Sequence, residues 1–290
     1  MTTILVTGAT GQVGRSLVPR LLQWTAADRP ANRPPETVRL LVRDEEQARR
    51  LEKAGAEVVL GDLRDASARA EALRGADAVV NVAAAFRGVP EEEAWAVNHH
   101  AAVALGREAA ASGVRRFVHT STNLVYPSGL GRPAREDDEP AADAAWGACP
   151  ASKIASERGL REVKGLPLVV LRLAFVYGEG DSHLRDIVPR AADWPAHQRL
   201  ATVHVADVCS AVRRALRAPG IEGETFNIGD DAGITAWDLH AFAGVPFPRS
   251  PRRDDMDPWD KIPSTDHARK VLGWQPQYPT VLSAQAAGAL

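Results

Sequence analysis

Short apolar runs alternate with longer stretches of helical spacing through the first 120 residues. Ile4 to Thr7, Val38 to Val42, Val58 to Leu60, Ala78 to Val82 and Arg116 to His119 are rich in β-branched residues or Leu and are bounded by Gly, Asp or Asn. That is the pattern of strands buried on both faces. Between them Val13, Leu17 and Leu21 recur at helical spacing, the segment 44–55 begins with acids and ends in Lys then Gly, and the segment 90–113 has a proline-acid start and a glycine stop. Strand, helix, strand at this pitch predicts an α/β fold of Rossmann type, a doubly wound parallel sheet. Pro19 inside the first helix predicts a bend, because that position has no amide donor.

Two polar, proline-bearing stretches without periodicity read as loops, 24–37 and the longer 128–147, the second running up to a helix that carries Lys153. Loops of that length in compact domains usually have a function. The run PLVVLRLAFVYG (167–178) is the last strong strand, after which Pro, Trp and His become frequent. The expected division is a first unit over 1–178, with segments of about 201–230 returning to it, and a smaller region mainly over 179–290.

Composition narrows the partners. With 290 residues, 45% hydrophobic, the chain can bury a large core, and its formal charge of -2 is spread over interspersed acids and bases. No single-sign field points to nucleic acid or to an anionic membrane, so a small molecule is the expected partner. Two cysteines, Cys149 and Cys209, without a C-x-x-C pair favour a reducing compartment, the cytoplasm. The opening run MTTILVTGAT is too short and too uncharged for a signal peptide, and no stretch approaches the ~18 apolar residues of a membrane span.

The chemistry begins at TGATGQVG, which lies directly between the first strand and the first helix. Gly8 permits a tight turn, Gly11 lets backbone approach a pyrophosphate, and Gly14 lets the helix pack on the strand. Gly8, Thr10, Gly11, Gln12, Val13 and Gly14 are therefore the expected phosphate cradle, at the positive end of a helix. At the exit of the second strand an acid would bond a ribose 2'-hydroxyl and an arginine would accommodate a 2'-phosphate. Arg43 stands there, which favours NADP(H), while Asp44 beside it keeps NAD(H) open. GDLRD puts Asp62 and Leu63 after the third strand, where an acid either accepts from the adenine amine or caps the next helix. NVAAA puts Ala83 and Ala84 against the cofactor.

Taken in order, TGATGQVG, GDLRD, NVAAA, HTSTNLVY, the Ser152, Lys153 and Glu157 set, LRLAFVYGEGD, VHVADV, ETFNIGD and ARKVLGWQP resemble the extended short-chain dehydrogenase/reductase family from end to end. The resemblance implies an NAD(P)-binding Rossmann domain, a smaller C-terminal substrate domain, and a serine or threonine, tyrosine and lysine set. On the matching positions Thr122 takes the hydroxyl place, Lys153 the lysine place, and Asn98 the place of an asparagine on the helix after the fourth strand. The tyrosine place is Cys149. A homodimer is also open on this resemblance.

A phenol whose pKa is lowered by the lysine would pass a proton to the substrate oxygen. A thiol is shorter and donates weakly, so Cys149 is either a substitute acid or a small half-buried residue. Lys153 either bonds the nicotinamide ribose or is a solvated helix lysine, and Thr122 either bonds a substrate carbonyl or is an ordinary strand residue. Asn123 beside it, with His183 and Trp194 in the segment 181–200, are the expected substrate contacts. His204 and Asp207 read as scaffold, and the scattered histidines predict no metal.

The expected activity is NADPH-dependent reduction of a ketone on a bulky aromatic polyketide or quinone-like molecule, with the substrate's own phenol supplying the proton. Such reductases tailor antibiotics, and loss of the tyrosine gives the chain a likeness to ketoreductases of the simocyclinone type of angucyclinone biosynthesis. The alternatives are a non-catalytic NAD(P)-binding regulator and a sugar-nucleotide epimerase or dehydratase.

Overall fold

The computed structural model describes residues 2–27, 36–86, 88–143, 146–248 and 257–290. The five expected strands form as β1 (Thr2–Thr7), β2 (Glu36–Val42), β3 (Glu57–Leu60), β4 (Ala78–Asn81) and β5 (Arg116–Thr122). The sixth apolar run divides into β6 (Leu168–Leu173) and β7 (Phe175–Tyr177). Later come β8 (Arg199–Leu200), β9 (Thr202–His204), β10 (Thr225–Ile228) and β11 (Ile234–Thr235). The helices between the first strands are α1 (Gln12–Ala27), α2 (Glu45–Lys53) and α3 (Ala66–Leu73). The single helix expected over 90–113 is α4 (Glu91–Trp95), a π-helical turn Ala96–Ala101 and α5 (Ala102–Ala111). Then follow α6 (Ala148–Arg161), α7 (His183–Asp186), α8 (Val188–Ala191), α9 (Val205–Arg217), α10 (Ala236–Ala243), α11 (Asp266–Leu272) and α12 (Val281–Ala286).

The main sheet has seven strands in the order β10-β6-β5-β4-β1-β2-β3. β1 lies parallel to both β2 and β4, β2 to β3, and β4 to β5. Strands β1 to β3 step one way and β4 onward step the other, so the order reverses between β1 and β4. An open α/β sheet holds its ligand at the carboxyl ends of the strands at such a reversal. The register pairs Thr7 with Leu41 on one side and with Asn81 on the other, which brings the exits of β1, β2 and β4 level.

The chain divides into two units: Met1–Ser121, Asp143–Leu171 and Val212–Thr225 make the first, and Thr122–Ala142, Arg172–Ala211 and Phe226–Leu290 the second. Compared with the expected boundaries, the first unit gives Thr122–Ala142, with most of the 128–147 loop, to the second, ends its next segment at Leu171, and receives back only Val212–Thr225. The loop expected over 24–37 is shorter than its composition implies, since α1 continues to Ala27 and β2 starts at Glu36. Its remaining residues, 28–35, lie outside the described ones. α1 runs on through Pro19.

In the first unit Leu5, Val79, Phe117 and Val170 form one sheet face, covered by Ala72, Leu73, Leu105, Ala109 and Leu160 from the helices. Burying each large aliphatic or aromatic side chain contributes about 1.5–3 kcal/mol. α5 and α6 approach closely because Gly106 has no side chain: a Cβ there would stand 2.4 Å from Leu160 Cδ2. That contact sets the height of α6, the helix of Cys149 and Lys153. In the second unit β7 pairs in parallel with β9, and β8 antiparallel with β11. Trp274, fully buried, donates Nε1 to the Asp207 carbonyl at 3.0 Å. The Asp207 carboxylate accepts from Gln277 N and Tyr278 N, at 2.6 and 3.1 Å. His204 accepts from Ala206 N at 3.2 Å and bonds the Ala289 carbonyl at 2.8 Å. Both residues hold scaffold.

Candidate active site

Gly8 has φ 75°, and a Cβ on it would lie 2.5 Å from Ala83 N. The turn leaving β1 therefore rests against the backbone leaving β4, and only glycine allows both the left-handed conformation and the approach. A Cβ on Gly14 would stand 2.1 Å from the Gly8 carbonyl oxygen, so α1 can begin this near the turn only with glycine at that place. Gly11 is different. Its side faces nothing nearer than the Gly8 oxygen at 3.3 Å, and Thr10 and Gly11 are exposed. With Gln12 and Val13 opening α1, this is a concave run of backbone at a helix N-terminus, which fits a dinucleotide pyrophosphate. Ala83 is half-buried against Gly8 and Ala84 is exposed, so the β4 exit presents no bulk.

At the exits of β2 and β3 three charges meet. Asp62 accepts from Arg64 Nε at 3.0 Å, Arg64 Nη2 at 2.7 Å and Arg64 N at 2.8 Å. The Arg43 guanidinium lies 3.8 Å from the same carboxylate, on a side chain 67% exposed. The bidentate Arg64 bond, more than any other influence, holds the Asp62 carboxyl down at about 2. Asp62 is thus not the cap of α3, which is Asp65, and both Asp62 oxygens accept from Arg64. Asp44, the acid that would read a 2'-hydroxyl, accepts from Gln47 N at 2.8 Å as the cap of α2. Leu63 is buried, and its carbonyl accepts from Arg69 Nη1 at 2.8 Å.

Under the strand exits lies a buried polar chain. Thr7 Oγ1 donates to Asn81 Oδ1 at 2.6 Å, which turns the Asn81 amide nitrogen toward His119 Nδ1 at 3.1 Å. That nitrogen then accepts, so the ring's other nitrogen carries the hydrogen and donates to Ser156 Oγ at 3.2 Å. His119 is fully buried, and desolvation, helped by the Lys153 charge, holds its pKa well below the usual histidine value. It is a neutral tie between β4, β5 and α6. Nothing in the apolar reading of β5 signals this role, because its partners lie 38 and 37 residues away.

Lys153 is 4% exposed, and its Nζ donates to the Thr120 carbonyl at 2.8 Å. Burial lowers its pKa, with Cys149 and Glu157 opposing. It is not a solvated helix lysine, and it braces β5. Asn98, expected among the cofactor contacts, stands behind them: Oδ1 accepts from Ala85 N at 2.8 Å, and Nδ2 donates to Ala85 O at 2.9 Å and to Ser152 Oγ at 3.1 Å. The π-helical turn puts this side chain inward at zero exposure. Ser152 Oγ in turn donates to the Cys149 carbonyl at 2.9 Å. Cys149 sits half-buried in the first turn of α6, where burial pushes its thiol up against the opposing pull of Lys153. At neutral pH it is a thiol and not a thiolate.

The second unit carries the expected substrate residues. Thr122 ends β5, and its Oγ1 accepts from Leu124 N at 3.2 Å across the 3-10 turn Asn123–Val125. Asn123 is 5% exposed and donates Nδ2 to the Lys261 carbonyl at 2.8 Å, so its side chain braces the turn. His183 Nδ1 lies 3.4 Å from Asp181 Oδ2, its ring edge-on to Phe175 at 5.9 Å. Trp194 is half-buried just after α8. Among the described residues no three His, Cys, Asp or Glu side chains group as metal ligands, and no helix is long and apolar enough to cross a membrane.

The strand reversal, the glycine cradle and the α6 lysine together describe a dinucleotide enzyme, and residues 4–229 match the NAD dependent epimerase/dehydratase family. The chain belongs to this family. It is an extended short-chain dehydrogenase/reductase and an NAD-dependent enzyme of the oxidoreductase type. Among its relatives, a 4-hydroxy-2-methyl-3-oxo-4-farnesyl-3,4-dihydroquinoline-1-oxide ketoreductase of Stigmatella aurantiaca is 29% identical over 249 residues, 79% of this chain and 68% of that protein. A UDP-glucose 4-epimerase of Streptomyces lividans is 29% identical over 264 residues, 77% of this chain and 79% of the epimerase. The fold is shared with a short-chain dehydrogenase/reductase superfamily protein of Agrobacterium tumefaciens, solved with bound NAD: TM-score 0.74, 24% identity, 95% of this chain and 93% of that one. Cys149 stands four residues before Lys153, the place where the resemblance calls for a phenol.

Proposed function

We propose that this enzyme uses NADPH to reduce a ketone on a bulky, aromatic polyketide or quinone-like molecule, without a tyrosine acid. The observation that carries the proposal is Cys149: a half-buried, protonated thiol in the tyrosine's place, beside a retained Lys153. When bound, the nicotinamide supplies a hydride to the carbonyl carbon. The chain's part is to hold and polarise. Lys153 keeps two N–H groups beyond the one on Thr120, and these suit ribose hydroxyls. The Thr122 oxygen already accepts from Leu124 N, which leaves its hydrogen to donate to the ketone oxygen. Placement alone supplies about 7–11 kcal/mol in favourable cases, whereas a general acid adds roughly 100- to 10,000-fold. An acid is useful and dispensable. A phenol hydroxyl beside the ketone gives its proton to the nascent alkoxide, and water reprotonates the phenolate afterwards.

NADPH is favoured because Asp44 is occupied as a cap while Arg43 and Arg64 stand at the exits of β2 and β3. The relative that acts on a dihydroquinoline oxide supports a fused-ring ketone. Epimerisation and dehydration need a proton taken from a hydroxyl, a task poorly suited to a thiol whose pKa burial raises. A soluble cytoplasmic enzyme, as monomer or homodimer, completes the reading.

The test compares NADPH oxidation on a peri-hydroxy aromatic ketone with that on its O-methyl ether. The methylated compound is expected to react about 100-fold more slowly or worse, and Cys149→Ala to retain most activity. Equal rates on the two ketones would remove substrate-assisted protonation, and an inactive Cys149→Ala with normal NADPH affinity would make the thiol the acid.

A further inference from the structure

We infer that Lys261 is a positioning residue that fixes the hydrogen-bond polarity of Thr122, an inference resting on Thr122 as the donor to the ketone. Lys261 is the only non-glycine in the left-handed region among the described residues, at φ 58°. It occupies the third place of a turn closed by Ile262 N on the Trp259 carbonyl at 3.0 Å, a place suited to glycine or asparagine. Strain of this kind persists only where the surroundings enforce it.

The enforcement comes from both directions. The Lys261 carbonyl accepts from Asn123 Nδ2 at 2.8 Å, and its buried Nζ donates to the Tyr126 carbonyl. Asn123 and Tyr126 are the first residue and the cap of the 3-10 turn that follows Thr122, so one side chain and its own backbone grip that turn at both ends. Tyr126 is itself immobile, with its hydroxyl donating to Asn227 Oδ1 at 2.7 Å and accepting from Arg172 Nη1 at 2.9 Å. On the other side, Ala134 N bonds the Ile262 carbonyl at 2.8 Å, Ser264 N bonds the Ala134 carbonyl at 2.7 Å, and Arg199 lies over the Trp259 ring at 4.8 Å.

The consequence is chemical. While the turn is held, Leu124 N stays on Thr122 Oγ1, which fixes the oxygen in place and leaves its hydrogen as the group to offer a ketone. If the turn opens, the hydroxyl loses this fixed placement, and its hydrogen is held less well against the ketone oxygen.

Lys261→Met keeps the alkyl stem and removes the donor. In single-turnover reduction of the peri-hydroxy ketone by NADPH it is expected to slow hydride transfer about 10- to 100-fold, with NADPH Kd unchanged. In a Thr122→Val background the same substitution should change nothing further. Hydrogen exchange at the Leu124 amide should quicken about tenfold. Lys261→Gly, which relaxes the backbone and also lacks the amine, should behave as Lys261→Met does and serves if that variant fails to fold. An equal slowing with and without the Thr122 hydroxyl, or unchanged exchange at Leu124, would overturn the inference. If the unsubstituted enzyme reduces no ketone, the proposed function falls, and the exchange measurement alone still decides whether Lys261 holds the turn.

Discussion

Two regions of the first unit handle charge and polarity in opposite ways. At the exits of β2 and β3, Arg43, Asp62 and Arg64 meet near solvent, with Arg43 and Arg64 side chains 67% and 48% exposed. Beneath the exits of β4 and β5, Thr7, Asn81, His119, Ser156 and Lys153 are all nearly or fully buried and bonded to one another or to backbone. Exposed ion pairs add little stability, and their arrangement is open to rearrangement by a ligand. A buried polar group left without its partner costs about 1–3 kcal/mol. The first region is therefore where cofactor preference can be changed without unfolding the protein, and the second is where function and folding are inseparable.

The largest effect expected from this contrast is on stability. His119→Phe leaves the Asn81 amide and the Ser156 hydroxyl without the ring, at about 2 kcal/mol or more. The pH dependence sharpens it. His119 is held neutral in the fold by burial, so its folded pKa lies below the unfolded value near 6.5. The unfolded histidine then binds a proton that the folded one does not, so the His119 contribution to stability is full above roughly pH 6.5 and declines below it, by at most about 1.4 kcal/mol per pH unit, while Asp230, raised to about 7 by burial, acts with the opposite sign in both proteins. His99, lowered by burial in the same direction, adds to the slope in both proteins. Urea unfolding at pH 8 and pH 5 should show a flatter dependence for the variant, and identical slopes would mean that His119 is not the neutral tie described.

Lys153→Met comes next. It takes the donor from the Thr120 carbonyl, with a stability loss of about 1 kcal/mol, and removes two N–H groups from the ribose. NADPH titration should show weakened affinity and thermal melting a modest shift. Full affinity in this variant would confine Lys153 to bracing β5.

The smallest effect on stability belongs to Arg43→Ala, within about 0.5 kcal/mol of the parent. Its effect is on choice: NADPH affinity should fall about tenfold or more while NADH affinity holds, as loss of one charge-assisted phosphate contact requires. An equal loss for both nucleotides would break the contrast between the regions and remove the support that Arg43 gives to NADPH.

Much of this was legible from local pattern. The strand runs needed only their own apolar residues, and the glycine turn only its spacing and its place between strand and helix. Asp44 and Asp65 as caps, and Arg64 two residues beyond Asp62, also lay within a few residues of what they bond. Arg64 was overlooked because GDLRD reads as an acid facing a ligand, when its arginine can fold back on that acid. The rest involved long separations. Thr7 meets Asn81 across 74 residues and Lys261 meets Tyr126 across 135. Asn98 looked like a contact to the cofactor, but the π-helical turn aims it at Ala85 and Ser152 instead. Thr122–Ala142 belongs to the second unit although its sequence lies within 1–178, since a segment's membership depends on what it packs against.

By itself the sequence determined the alternating strands and helices, the glycine turn at Gly8 to Gly14, and a cysteine, Cys149, four residues before Lys153. Each follows from steric and hydrophobic preferences that act over a few neighbouring residues. Only the tertiary structure decided that His119 is a neutral tie, that Lys153 is buried on Thr120, and that Lys261 grips the turn after Thr122. Desolvation and hydrogen-bond partnership belong to the packed environment, and that environment exists only once distant segments have closed around the group.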